Sequence, residues 1–398
     1  MSTINSIAGM KDEIAGYRRE LHQNPQTAYE ETFASDLVQR KLTEWGIPFK
    51  AGIAKTGIVA TIEGQKTDSG KAIGLRADMD ALNMTEASGQ PWASKISGKM
   101  HGCGHDGHTA MLLGAAKYLS ETRNFNGKVH LIFQPAEEGG GGAIRMIKEG
   151  LFQTFPMQAV YGMHNWPGLP KGTIGLRPGP IMASSDSFEI TITGKGGHAA
   201  LPHFNIDPII AASQIVTALQ TIVSRQVDPV DQAVVSITNI HAGSGAINVI
   251  PDKAVLSGTY RAFRPETRAL LHRRITEIAS TIAAAYNTRF EIKAHEGYDP
   301  TVNTQAESEF AASIARQVAG EANVNANVEP CMGAEDFGAM LQQVPGCYIW
   351  VGQAEKDQPQ SPHNQGLHNV GYDFNDGIIP TGIEYWARLA EAAMPLTK

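Results

Sequence analysis

Residues 100–108, Met-His-Gly-Cys-Gly-His-Asp-Gly-His, put five metal-ligating or proton-carrying side chains and three glycines directly before a helix-like run from Thr109 to Leu119. Such a stretch is poor core material, because its polar groups lose water on burial unless something binds them. A thiolate and an imidazole at i and i+2, Cys103 and His105, suit a borderline-soft divalent ion such as Zn²⁺, and the glycines let the backbone bring both onto one centre. The competing reading is an irregular polar loop that caps a helix, and His101 and His108 stay open as additional ligands. Structural zinc sites recruit a second ligand pair close in sequence. The remaining donors must therefore come from distant segments, which the fold has to bring together.

The order of elements says where to look. Ile7, Met10, Ile14, Tyr17 and Leu21 recur at spacings of three and four, so residues 4–22 read as an amphipathic helix. A second helix covers Thr32 to Trp45 and ends at Gly46. Strands follow at 57–63, 72–77, 128–133 and 159–163, with a helix over Ala143 to Glu149. Strands alternating with helices indicate a mostly parallel sheet covered by helices on both faces, and ligands of such sheets bind beyond the carboxyl ends of the strands. Asp78, Asp80, Glu137, Glu138 and His164 each fall just after a predicted strand.

The pattern changes near residue 185. Strand 187–194, helix 206–225, strands 233–241 and 253–263, helix 265–286 and strand 288–294 follow in turn. This β-α-β-β-α-β order is the ferredoxin-like arrangement. We read residues 185–295 as an inserted domain and 1–184 with 296–398 as one domain split by it, the latter resuming with a helix near 305–318, a strand at 347–351 and a last helix at 378–393.

Length and charge limit the function. A chain of 398 residues with 42% hydrophobic side chains can build two or three buried cores. A net charge of -7 offers no basic footprint for nucleic acid. Lys11, Asp12, Glu13, Arg18, Arg19 and Glu20 interrupt any apolar leader, no later run reaches membrane-spanning length, and three cysteines, an odd number, argue against a disulfide framework. These features predict a cytoplasmic protein without a membrane partner.

The Glu137-Glu138 pair follows a strand and precedes four glycines. One such carboxylate can bind a metal while its neighbour carries a proton from an activated water; the alternative is a solvated acidic turn at a helix start. His164 at a strand end reads alone as a satisfied core histidine, and only its company makes it a ligand candidate. Nothing in the pattern assigns chemistry to His22, His130, His272 or His295.

HGCGHDGHTA (101–110), QPAEEGGGGA (134–143), GMHNWPGLPKG (162–172), GKGGHAALPH (194–203), INVIPD (247–252), MGAEDF (332–337) and LHNVGYDFND (367–376) together resemble the amidohydrolase branch of the aminoacylase and carboxypeptidase metallopeptidase superfamily. That branch holds hippurate hydrolases, N-acyl-amino-acid amidohydrolases and plant auxin-conjugate hydrolases. The resemblance implies two divalent ions per subunit (Zn²⁺, Mn²⁺, Co²⁺ or Ni²⁺), with Cys103, His105, Glu138, His164 and His368 as ligands, Glu137 as general base and acid, and Asp80 orienting a ligand. It implies that His198 polarises the scissile carbonyl, that Asn248 and Arg261 hold the polar and carboxylate ends of a small N-acyl amino acid, and that the inserted domain is a lid which forms a homodimer or homotetramer. A dipeptidase or carboxypeptidase on the same centre is the competing enzyme, and a binding protein with a structural metal the competing non-enzyme. Asn83-Met84-Thr85 and Val370 depart from the family pattern, and His363-Asn364 competes with His368-Asn369 for the last ligand position, where the following YDFND favours His368.

Overall fold

A computed structural model describes residues 4–396. It divides into two compact units, one comprising residues up to 181, 301–329 and from 336 onward, the other 182–300 with 330–335.

The first unit opens with helix α1 (Asn5–Gln23), whose Ile7, Met10, Ile14 and Leu21 are buried, and helix α2 (Thr32–Glu44). Strands β1 (Phe49–Ile53), β2 (Gly57–Glu63) and β3 (Ala72–Asp78) precede helix α3 (His105–Thr122). Strand β4 (Lys128–Gln134), helix α4 (Gly142–Lys148) and strand β5 (Ala159–Pro170) complete this half. Every residue of β3 is buried, as a central parallel strand covered on both faces requires. Helix α3 is buried nearly all round, from His105 through Ala116.

The second unit supplies β6 (Ser185–Thr193), α5 (Pro208–Gln226), β7 (Ala233–Ala242), β8 (Lys253–Ala262), α6 (Pro265–Ala285) and β9 (Arg289–Tyr298). Its four-stranded sheet runs β7-β8-β6-β9, antiparallel throughout, which is the β-α-β-β-α-β order with the first strand in an interior position. Ile190, Ile192, Ile215, Leu219, Leu256, Leu271 and Ile275 form a core of its own. Asp207 caps α5 by accepting from Ile209 N, with Pro208 supplying the preset φ of the first turn.

The chain then returns to the first unit through α7 (Gln305–Ala319), β10 (Gly346–Ala354) and α8 (Ile379–Ala393). The eight-stranded sheet of this unit runs β1-β2-β4-β3-β5-β10, followed by the short strands Ile174–Gly175 and Val324–Asn325. Its centre, β4-β3-β5-β10, is parallel, and the β1-β2-β4 flank is antiparallel. The sheet is therefore mixed, with its parallel part where the candidate ligands lie. Helices α1, α3 and α8 pack on one another, and α3 packs on β3.

Two boundaries differ from the sequence reading in ways that matter for the site. Helix α3 starts at His105 rather than Thr109, because Gly104 takes a left-handed φ of 93° and turns the chain into the helix at once. Strand β5 continues past Met163 to Pro170, since β10 pairs along it with His164 opposite Trp350 and Asn165 opposite Val351. His164 thus sits inside a strand pair, and its Nδ1 donates to Asn165 O at 2.6 Å.

Candidate metal centre

The donors are set by four pieces of backbone at the carboxyl ends of the parallel strands. Asp78 closes β3 and Asp80 follows it; Glu137 and Glu138 stand on the turn after β4; His164 lies on β5; Cys103 and His105 flank Gly104 at the head of α3. His368 comes from the loop before α8, with a left-handed φ of 63° and its backbone N–H donated to Gly102 O at 2.8 Å.

These side chains converge. Cys103 Sγ is 3.4 Å from His164 Nε2, His368 Nε2 is 3.1 Å from Glu138 Oε1, and His105 Nε2 is 4.0 Å from that same Glu138 oxygen. Their donor atoms form overlapping groups: Cys103, His105 and His164; Cys103, Glu138 and His368; His105, Glu137 and Glu138. Asp80 lies beneath. Its Oδ1 accepts from Glu137 N at 3.0 Å and faces His105 Nδ1 at 3.3 Å, while Oδ2 accepts from Glu138 N at 2.9 Å. One carboxylate thereby orients a histidine and two consecutive glutamates.

His108 belongs to a further donor group with Asp78 and His105. Both of its ring nitrogens are already engaged, however: Nδ1 lies 2.6 Å from Asp78 Oδ1 and Nε2 lies 2.7 Å from Asn165 Oδ1. His105 is the opposite case, because its buried Nε2 has no hydrogen-bond partner. His101 joins none of the donor groups among the described residues, and its ring centroid lies 6.2 Å from that of His22. His363 donates from Nδ1 to Asp373 O, 3.0 Å away, and joins none of the donor groups among the described residues.

The electrostatics ask for a cation. Burial alone would disfavour a charged His105, yet Asp78, Asp80 and Glu138 overcome it and push its pKa up to about 10. Burial raises the Cys103 thiol well above its usual range, and Glu138, Glu137 and Asp78 raise it further. His164 moves the other way, down, through burial and the neighbouring His108. For Glu138, burial opposes the anion, but the His368 hydrogen bond and His105 hold its carboxyl below the ordinary value. An excess of buried carboxylate, a thiol that ionises only beside a positive charge and an unpartnered imidazole nitrogen fit divalent metal ions, which reverse this local pKa order. The sulfur, nitrogen and oxygen set suits first-row transition ions rather than Mg²⁺ or Ca²⁺. The residues fit two such ions, since the donor groups share Cys103 and His105 yet extend to both His164 and His368.

Several further residues support this floor. Arg76, buried in β3, donates from Nη1 to Asp78 Oδ2 at 2.6 Å, from Nε to Gln134 Oε1 at 2.8 Å and from Nη2 to Asp336 Oδ1 at 3.1 Å. A charge in an all-apolar central strand was the available clue, since such a group needs partners. On the other side of α3, His22 Nδ1 lies 2.7 Å from Asp106 Oδ2 and its Nε2 lies 3.2 Å from Glu86 Oε1. Arg18 Nη2 donates to Asp373 Oδ1 at 2.5 Å and to Phe374 O at 2.6 Å, tying α1 to the loop that carries His368. Trp166 stacks on Trp350 with centroids 4.1 Å apart, beside His164.

In the second unit, His198 is exposed on the short strand Gly197–His198, paired with Val249, and Ala199 N donates to Asn248 O at 3.0 Å. Those two candidates are therefore neighbours. Arg261 lies on β8 opposite Val234, with a buried Nη1 that has no hydrogen-bond partner.

Residues 74–392 match the sequence profile described as peptidase family M20/M25/M40. The hippurate hydrolase of Campylobacter jejuni is 41% identical over 390 residues, 98% of this chain and 99% of that one. The N-acetyl-L-cysteine deacetylase of Bacillus subtilis is 42% identical over 349 residues, covering 87% of this chain and 82% of the relative. Among solved structures, a dinuclear metal-binding peptidase of the M20 family from Bacillus subtilis superposes with a TM-score of 0.82 at 34% identity, over 97% of this chain and 99% of the other.

Proposed function

Because this chain belongs to peptidase family M20/M25/M40, we propose that it is a metal-dependent amidohydrolase which cleaves an N-acyl amino acid, of the acyl or aroyl kind found in hippurate, to a carboxylate and a free amino acid. The observation that carries this reading is the adjacency of Glu137 and Glu138. Glu138 shares a donor group with Cys103 and His368, Glu137 shares one with His105, and both backbone N–H groups are fixed by Asp80.

Cys103, His105, Glu138, His164 and His368 hold the ions. When bound, a divalent pair polarises the amide carbonyl and lowers the pKa of water. Glu137 takes the proton of the attacking water and returns it to the amide nitrogen, so that the C–N bond breaks and the amine leaves neutral. Asp80 keeps His105 in the tautomer that presents Nε2 to the centre. The metal is Zn²⁺, Mn²⁺, Co²⁺ or Ni²⁺, all of which accept this donor set.

The inserted domain, residues 185–295, is proposed as lid and dimerisation domain, giving a homodimer or homotetramer. His198 polarises the substrate carbonyl, Asn248 holds a polar substrate group and Arg261 takes the free carboxylate, for which a guanidinium fork with an unpartnered buried nitrogen is suited. The cytoplasm is the proposed compartment, supported by three free cysteines, one of them in the donor set.

The test pairs elemental analysis of the purified protein with amino acid release from acetyl, benzoyl and long-chain acyl amino acids. Two equivalents of a transition metal and release from at least one such substrate are expected, with free-amine dipeptides left intact. Glu137→Gln should keep both ions and lose nearly all turnover; full activity in that variant removes the proton-transfer role.

A further inference from the structure

The turn that carries Glu137 and Glu138 is held by more than Asp80. Ala136, immediately before it, is fully buried and has a left-handed φ of 55°. An L-residue persists there only where its surroundings impose it. The surroundings in this case are one short segment of the chain's first unit, more than a hundred residues earlier.

Glu31, fully buried, accepts from Ala136 N at 2.9 Å through Oε1. The same oxygen accepts from Tyr29 N at 2.9 Å, and Oε2 accepts from Thr56 Oγ1 at 2.6 Å, so the carboxylate is itself fixed on both sides. Tyr29, also at a left-handed φ of 64°, sends its hydroxyl to Gly140 O at 2.7 Å. The segment thus grips the turn before Glu137 and after Glu138.

We propose that Glu31, assisted by Tyr29, is a positioning residue for the Glu137–Glu138 pair, acting through the Ala136 and Gly140 backbone. This rests on the reading of Glu137 as proton carrier. Three successive N–H groups point at two buried carboxylates: Ala136 at Glu31, Glu137 and Glu138 at Asp80. Without Glu31, Ala136 loses the contact that holds its unfavourable φ. Its return to negative φ swings the following peptide and takes Glu137 N away from Asp80. A displacement of that kind moves a proton-transferring carboxylate by a distance to which turnover is steeply sensitive. Glu31 touches neither substrate nor ion in this scheme; it sets where Glu137 stands.

Steady-state kinetics on the metal-loaded enzyme, with metal content and melting temperature measured alongside, test the assignment. Glu31→Ala is expected to lower kcat about 10- to 100-fold with KM changed far less. Glu31→Gln, which keeps an oxygen for Ala136 N and a donor for Thr56 Oγ1, is expected to restore most of the kcat. Ala136→Gly in the Glu31→Ala background should recover part of it, because glycine adopts the left-handed conformation without penalty. A purely structural carboxylate would lower the melting temperature and leave kcat per folded, metal-loaded enzyme unchanged, and that result overturns the proposal. Should Glu31→Ala not fold, Glu31→Asp decides, since it withdraws the carboxylate by one methylene: unchanged kcat overturns, a fall supports. An active Glu137→Gln variant would remove the functional reading itself, whereas an inactive Glu137→Gln beside a fully active Glu31→Ala removes only this inference.

Discussion

Asp80 and Glu138 are joined through the backbone: Glu138 N donates to Asp80 Oδ2 at 2.9 Å, while the other oxygen of the same carboxylate takes Glu137 N at 3.0 Å and faces His105 Nδ1 at 3.3 Å. Asp80→Ala therefore loosens a histidine and two glutamates in one step. Such supporting partners typically contribute 10- to 100-fold in metal affinity or activity. We expect Asp80→Ala to weaken metal binding by roughly that factor, read from metal retained after dialysis against graded chelator. Retention equal to the unchanged protein would mean that Asp80 does not orient the donors.

Cys103 is the one sulfur in the donor set, 3.4 Å from His164 Nε2 and sharing a group with Glu138 and His368. Removing it should cost at least one ion. Elemental analysis of Cys103→Ala is expected to find fewer than two equivalents, whereas a full complement would exclude the thiolate as a ligand. A cobalt-loaded sample gives a second readout, because loss of a sulfur-to-metal charge-transfer band in the variant isolates the thiolate from any general loosening.

Much of this was legible in the sequence, for a physical reason. Ligands placed just past the ends of parallel strands need no long-range assumption, since the sheet itself brings those ends together. The β-α-β-β-α-β order of the second unit is a local succession, and periodicity reads local successions well. Buried polar partners are different. His22 on the inward face of α1 looks like an ordinary helix residue until Asp106, 84 positions later, is placed at 2.7 Å. Glu31 meets Ala136 across 105 positions, and Arg76 meets Asp336 across 260. Pairs so far apart leave no period in the sequence. The helix start at His105 was missed because a left-handed glycine can begin a helix as abruptly as it ends one.

Gly104 gives that point a stability test. It sits between Cys103 and His105 at a φ of 93°, and a Cβ there would lie 2.2 Å from Asn165 Oδ1 and 2.6 Å from the Tyr372 hydroxyl. Both neighbours are buried and hydrogen-bonded to each other's network, so neither yields easily. Gly104→Ala combines backbone strain with overpacking and should destabilise by about 2–4 kcal/mol. Urea unfolding of the metal-free protein measures this cost apart from metal loss. A midpoint unchanged from the parent would show that the turn relaxes freely.

His22 makes stability depend on pH. Burial disfavours its charged form, but Asp106 and Glu86 more than compensate, and its pKa is pushed up to about 9 from an ordinary 6.5. The folded state therefore holds a proton that the unfolded state releases across this window. The stabilisation is fully present below pH 6.5 and disappears as pH rises through about 9, with a slope of at most about 1.4 kcal/mol per pH unit. His22→Gln cannot take up that proton, so its melting temperature should start lower near pH 6 and converge on the parent curve near pH 10. Differential scanning calorimetry of both metal-loaded proteins across that range provides the comparison. Parallel curves, with a constant gap at every pH, would show that His22 stays neutral and acts through packing alone.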